Sequence, residues 1–112
     1  MHRNLKPDNI LVSDDGKVVI SDFTSSRATS ANATGRNTIE EPNELQRSLR
    51  ESKRMWYKSP EMLLRTQEYG KECDIWQIGC LFIEIVLCKT IFKSNSEIEN
   101  LINIFKFTGS PN

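Results

Sequence analysis

Residues 2–9, HRNLKPDN, crowd an imidazole, a guanidinium, an ammonium, two carboxamides and a carboxylate into one short stretch. DFT follows at residues 22–24 and SPE at residues 59–61. Side chains of these types handle charge: they orient anionic groups, neutralise them, or move a proton. The first stretch is arranged as though an acid belonged in it, yet position 4 is Asn4, whose amide cannot take up a proton as a carboxylate does.

Groups like these act only if secondary structure holds them in register. NILV at residues 9–12 and VVISDF at residues 18–23 are apolar and partly β-branched, and SDDGK between them carries Gly16. The pattern predicts a short hairpin following a loop. From Ser25 to about Arg54 the chain turns to Ser, Thr, Asn, Arg and Glu, too few apolar groups to fix one conformation, so a long polar loop is expected.

ECDIWQIGCLFIEIVLC, residues 72–88, is apolar on nearly every face from Ile75 to Leu87 and is interrupted by Glu84. It predicts a helix buried all round, at the centre of its domain. SNSEIENLINIFKFTG, residues 94–109, predicts an amphipathic helix. Ser94 and Glu97 have capping-box spacing, Ile98, Leu101, Ile102 and Phe105 form one apolar stripe, and Gly109 is the stop.

The chain has 112 residues, enough for one small domain or a piece of a larger one. Fifteen basic residues balance fifteen acidic ones, so the net charge is zero and no overall field favours nucleic acid or an anionic membrane as partner. The longest apolar run falls short of the ~20 residues that a membrane span needs. No signal peptide opens the chain, and a place in cytoplasm or nucleus is expected. His2 is the single histidine, and the three cysteines, Cys73, Cys80 and Cys88, fit neither a disulfide framework nor a zinc pattern. They read as buried thiols in a reducing compartment.

The order, spacing and residue types of HRNLKPDN, DFT and SPE resemble the protein kinase set H-R-D-L-x-x-x-N, D-F-G and A-P-E. With WYKSPEMLL, DIWQIGCLF and the terminal FTGSPN, the chain is most similar to the cyclin-dependent kinases and their serine/threonine kinase relatives. The resemblance implies an α+β, mostly α fold: part of a kinase domain, residues 1–112, running from the catalytic loop to the helix after the central one. It also implies descent from enzymes that move the γ-phosphate of ATP to protein Ser or Thr with magnesium.

By the same resemblance, Asp22 would hold magnesium and Asn9 would offer a carbonyl oxygen to a second ion. Lys6 would lie against the transferred phosphate, and Arg3 would receive a phosphate on the activation loop. His2 would be structural, Asp74 would tie the central helix to the catalytic-loop backbone, and Glu61 would pair with an arginine of a later helix.

Three departures stand against activity. Asn4 occupies the place of the catalytic aspartate, and loss of a general base typically costs ~10²–10⁴-fold in rate. The glycine of D-F-G is Thr24, a β-branched residue that resists positive φ, so the loop is expected to flip less freely. Arg54 stands where relatives carry a threonine linking the catalytic aspartate and lysine. Apart from these three, Lys58 replaces an arginine after WY, and the loss of that residue's rigid fork is expected to alter the groove for a substrate's flanking residues.

The N-lobe pieces, a Gly-rich loop and a strand lysine with its glutamate partner, are not among these residues, so ATP binding by this chain alone is not expected. Glu61 is expected to lack its partner, and the central helix to lack packing. Ser48 and Ser52 flank the position of the activating threonine. Three readings remain open: a fragment of a longer kinase-like protein, inactive by its own residues; a pseudokinase-type module binding a cyclin-like or substrate protein; and a decayed gene copy.

Overall fold

The computed structural model describes residues 1–27, 53–66 and 70–111. Ser48 and Ser52, and most of the polar segment between Ser25 and Arg54, lie outside the described residues.

The loop of residues 1–9 leads into a hairpin of β1 (Ile10–Val12) and β2 (Val18–Ile20), antiparallel with Leu11 opposite Val19. Its turn closes through Gly16, whose N–H donates to the Ser13 carbonyl at 2.9 Å. Gly16 has φ 83°, a conformation that glycine reaches without a Cβ penalty. A 3₁₀ turn, Phe23–Ser25, follows.

The helical part consists of a short α1 (Pro60–Leu63), the long α2 (Glu72–Leu87) and α3 (Glu97–Thr108). α1 packs against α3. Met55, Tyr57, Leu63, Cys80, Phe92 and Ile104 form the buried core, with Trp76 stacked on Phe92 at 5.9 Å. The chain is α+β and mostly helical. Among the described residues no helix is long and apolar enough to cross a membrane.

α2 is not buried all round. Its buried stripe is Cys73, Gln77 and Cys80, spaced four and three residues apart. Ile75, Phe82 and Ile85 stand 66%, 67% and 75% exposed. The physical reason is coverage: the loop of residues 1–9 and the core lie along one face, and among the described residues no element covers the opposite one.

α3 starts two residues later than the Ser94–Glu97 pairing predicts. Ser96 is the N-cap, its hydroxyl accepting from the Glu99 N–H at 3.1 Å while Glu99 accepts from the Asn95 N–H at 2.8 Å. Ser94 is instead buried, with its carbonyl taken by the Trp56 indole N–H at 2.8 Å. The inward face is correspondingly rotated to Asn100, Leu101, Ile104 and Phe105, and Ile98 is left 74% exposed. Gly109 does end the helix, at φ 86°. Of the cysteines, Cys73 and Cys80 are buried, but Cys88 is exposed at the left-handed C-cap of α2.

Candidate functional site at the HRN loop

Two polar side chains on one face of α2 fasten the loop of residues 1–9. Asp74 accepts the backbone N–H of His2 at 2.7 Å and that of Arg3 at 2.8 Å. Gln77, three residues on and fully buried, accepts the Leu5 N–H at 2.9 Å and donates to the Arg3 carbonyl at 3.4 Å. Residues three apart on a helix share a face, so one turn of α2 satisfies a whole bend of loop backbone. Arg3 sits at φ 67°, a strained value for a residue with a Cβ, and the Asp74 and Gln77 bonds on both sides of it hold it there.

His2 acts as a bracket. Its Nε2 donates to the Ser21 carbonyl at 2.9 Å, its Nδ1 accepts the Asn4 N–H at 3.3 Å, and its ring meets Phe23 edge-on at 5.0 Å. Both ring nitrogens are engaged, which leaves none free for proton transfer. Asn9 performs a similar service: its amide donates to the Asn4 carbonyl at 2.7 Å, and its own carbonyl accepts the Ser21 N–H at 2.9 Å. The loop and the start of the DFT segment are thereby tied together.

Asn4 and Asp22 meet at the centre. Asn4 Nδ2 donates to one carboxylate oxygen of Asp22 at 3.3 Å. The other oxygen accepts the Thr24 hydroxyl at 2.5 Å and the Thr24 N–H at 3.4 Å. The hydroxyl holds the Asp22 carboxyl below the usual carboxylate range. Among the described residues, Asn4 Oδ1 is buried without a hydrogen-bond partner. The positive φ of this loop lies at Asp22, 62°, and not at Thr24, which sits inside the 3₁₀ turn. In this conformation the left-handed residue is Asp22, so Thr24 carries no positive-φ strain here.

Lys6 is buried to 7% exposure, and burial pushes its amine down, against the pull of Asp8 and Asp22. Arg54 and Lys53 lower it further. Lys53 itself pairs with Asp8 at 3.4 Å, and among the described residues the Arg54 Nε is buried without a partner. A cavity of about 140 Å³ opens beside these groups, lined by Lys6, Asp8, Lys53, Trp56, Tyr57 and Glu84. Arg3 turns its Nε to the Ser25 carbonyl at 2.6 Å, so its side chain is already engaged.

Glu61 does not stand unpaired. The Cys73 thiol donates to it at 3.2 Å, and the Ser59 hydroxyl donates to that sulfur at 3.1 Å. Burial, with Glu61 nearby, pushes the Cys73 thiol up to about 11, which keeps it a donor at neutral pH. Lys58, with Arg65, reaches Glu97 at the start of α3, at 2.6 Å and 3.3 Å.

The sequence reading missed Gln77 and gave Glu84 no role. Gln77 was findable as a second polar residue three after Asp74 in an otherwise apolar helix. Glu84 accepts the Tyr57 hydroxyl at 2.5 Å and the Thr90 hydroxyl at 3.1 Å, a closure between distant segments that no local spacing reveals.

A magnesium ion at Asp22 would have to compete with the hydrogen bonds that this carboxylate already accepts. Magnesium wants hard oxygen ligands in near-octahedral order. Both Asp22 oxygens already accept protein hydrogen bonds, and the group of Asn4 that faces Asp22 is an N–H donor. No group of three or more His, Cys, Asp and Glu residues among the described residues could hold a metal ion.

The protein kinase domain model matches residues 1–111, so the chain belongs to the protein kinase family. Within it, the chain is similar to Cyclin-dependent kinase 2 of Caenorhabditis elegans, 41% identical over 112 residues, which are all of this chain and 27% of that protein. It is 32% identical to Cell division control protein 2 homolog 1 of Trypanosoma brucei brucei, over 100% of this chain and 33% of that one. It also resembles a chain in the crystal structure of the yeast RNA Pol II CTD kinase CTDK-1 complex, at TM-score 0.77 and 34% identity, covering 100% of this chain and 33% of that chain. A Leishmania major MAP kinase shares the fold at TM-score 0.70 and 24% identity. This chain thus spans about a third or less of the length of these relatives.

Proposed function

We propose that this chain belongs to a cyclin-dependent-kinase-like protein serine/threonine kinase domain that has lost phosphoryl transfer and acts by binding protein. ATP-dependent phosphorylation of protein Ser or Thr is the reaction of its lineage, and a cyclin-like or substrate-like protein in cytoplasm or nucleus is the partner this reading assigns it. One observation carries the proposal. Where a general base should face the substrate hydroxyl, Asn4 presents an amide that donates to Asp22. The clamp of Asp74 and Gln77 on the same loop is intact, so the scaffold around the missing base is kept.

The test is phosphate transfer from γ-labelled ATP to Ser/Thr peptides by protein isolated from its own cells, at its natural length and with its natural partners, beside the Asn4→Asp form. The expected wild-type rate is at background, and any activity of Asn4→Asp exceeds it by roughly 10²-fold or more. Transfer by the wild type as fast as by Asn4→Asp overturns the proposal.

A further inference from the structure

The two motif positions at which this chain departs most from the kinase pattern are 4 and 24, and both new side chains donate to the same carboxylate. Asn4 Nδ2 reaches one oxygen of Asp22 at 3.3 Å and Thr24 Oγ1 the other at 2.5 Å. Neither contact is open to the residues of the family pattern: an aspartate at position 4 has no N–H, and a glycine at position 24 has no hydroxyl. An aspartate at 4 would instead set two carboxylates against each other, a repulsion that a bound cation relieves. A site built to receive a divalent ion keeps its carboxylate oxygens facing that ion. Here they accept from two neutral donors, on a residue at φ 62° whose carboxylate also accepts the Thr24 N–H.

We infer that Asn4 and Thr24 together replace the divalent cation as the hydrogen-bonding complement of Asp22, so that this loop keeps its shape without metal and has little affinity for one. The two departures are then a matched pair, one preserving what the other would upset. The inference rests on the reading that Asn4 stands in the place of the catalytic acid, but it concerns metal binding and not turnover.

The probe is Mn²⁺ alone, followed by the loss of its free-ion paramagnetic resonance signal in the presence of the protein at its natural length. The wild type is expected to leave low-millimolar Mn²⁺ free. The double variant Asn4→Asp/Thr24→Gly is expected to bind it at least ~10-fold more tightly, the size of effect that groups around metal ligands exert. Adding Asp22→Asn to that double variant should remove the gain. Circular dichroism reports whether the double variant folds. If it does not, the folded pair Thr24→Ser and Thr24→Val decides: valine, without the hydroxyl, should bind several-fold more tightly than serine, which keeps it.

Wild-type binding as tight as that of the double variant, or equal binding by the serine and valine forms, overturns the inference. Manganese binding by a wild type that transfers no phosphate would overturn this inference alone and leave the proposed function standing. Transfer by a wild type that binds no manganese would do the reverse.

Discussion

Two loops meet at the Asn4–Asp22 contact, and they are held in opposite ways. The loop of residues 1–9 is mostly buried and is fastened by α2, more than seventy positions along the chain, through Asp74 and Gln77. The loop around Asp22 is exposed, and two of the hydrogen bonds to that carboxylate come from Thr24, two positions away. A long-range clamp resists change because each partner serves several backbone groups at once. A local contact can be rewritten by one or two substitutions. The departures from the kinase pattern at Asn4 and Thr24 therefore rearrange the hydrogen bonds around Asp22 and leave untouched the Asp74 and Gln77 contacts that shape the first loop.

The hardest blow to that comparison is Asp74→Ala. It orphans the N–H groups of His2 and Arg3, and each unsatisfied donor costs ~1–3 kcal/mol, so a loss of about 3 kcal/mol in unfolding free energy is expected. Urea denaturation reads it directly; a loss under ~1 kcal/mol, on the same scale of cost per donor, would mean that water replaces Asp74 and that the loop is not clamped. Thr24→Ala, which touches only the exposed loop, should leave the urea midpoint almost unmoved.

Gln77→Leu comes next. It keeps the bulk of a fully buried side chain but strands the Leu5 N–H, at an expected cost of ~1–3 kcal/mol. Gln77→Glu keeps the acceptor for Leu5 while losing the donor to Arg3, so it should separate the two halves of the clamp. If leucine proves no worse than glutamate, the acceptor is not what matters.

Much of this was legible in the sequence, for local reasons. The hairpin announced itself through SDDGK between apolar runs, Gly109 marked the end of α3, and HRNLKPDN and DFT were singled out as motifs that the structure brings together at the Asn4–Asp22 contact. Three things were not legible. Apolar residues all round α2 say that a helix belongs in a protein interior, but not how much of its surface the rest of the chain covers; Ile75 and Ile85 stay exposed. The register of α3 hung on Ser94 against Ser96, two equally good caps by type. Packing decided, because Trp56 takes the Ser94 carbonyl. The fate of Glu61 depended on Cys73, a residue read as a mere buried thiol, which became its donor.

A smaller effect sharpens the contrast from the core side of the first loop. Tyr57→Phe removes one hydrogen bond to Glu84, worth ~1 kcal/mol. Burial first, and the Glu84 carboxylate second, push the Tyr57 phenol well above its ordinary value. A raised folded value means that its contribution is fully present below the ordinary tyrosine range and is lost as pH rises through the folded value. Wild type should therefore lose stability relative to Tyr57→Phe in alkali. A constant difference up to the alkaline limit of the fold would show that the phenol does not titrate differently on unfolding.

The smallest expected effect lies farthest from the site, at Glu97. Lys58 first, and Arg65 after it, hold this carboxyl below its usual range. A depressed folded value works with the opposite sign: the stabilisation is present above the ordinary carboxylate range and is lost as pH falls through the folded value. Lys58 and Glu97 are 24% and 33% exposed at the side chain, whereas Arg65 is 83% exposed, so solvent screens the second pair and the first carries most of the effect. Glu97→Gln should cost about 0.5–1 kcal/mol at neutral pH and nothing once Glu97 is protonated. Because α1 meets α3 and this ion pair reaches α3 from the segment before α1, the loss should appear as a lower urea midpoint with an unchanged slope. Full persistence of the difference in acid would mean that glutamine is paying a packing penalty instead, and that Lys58 contributes no charge-dependent stability at this junction.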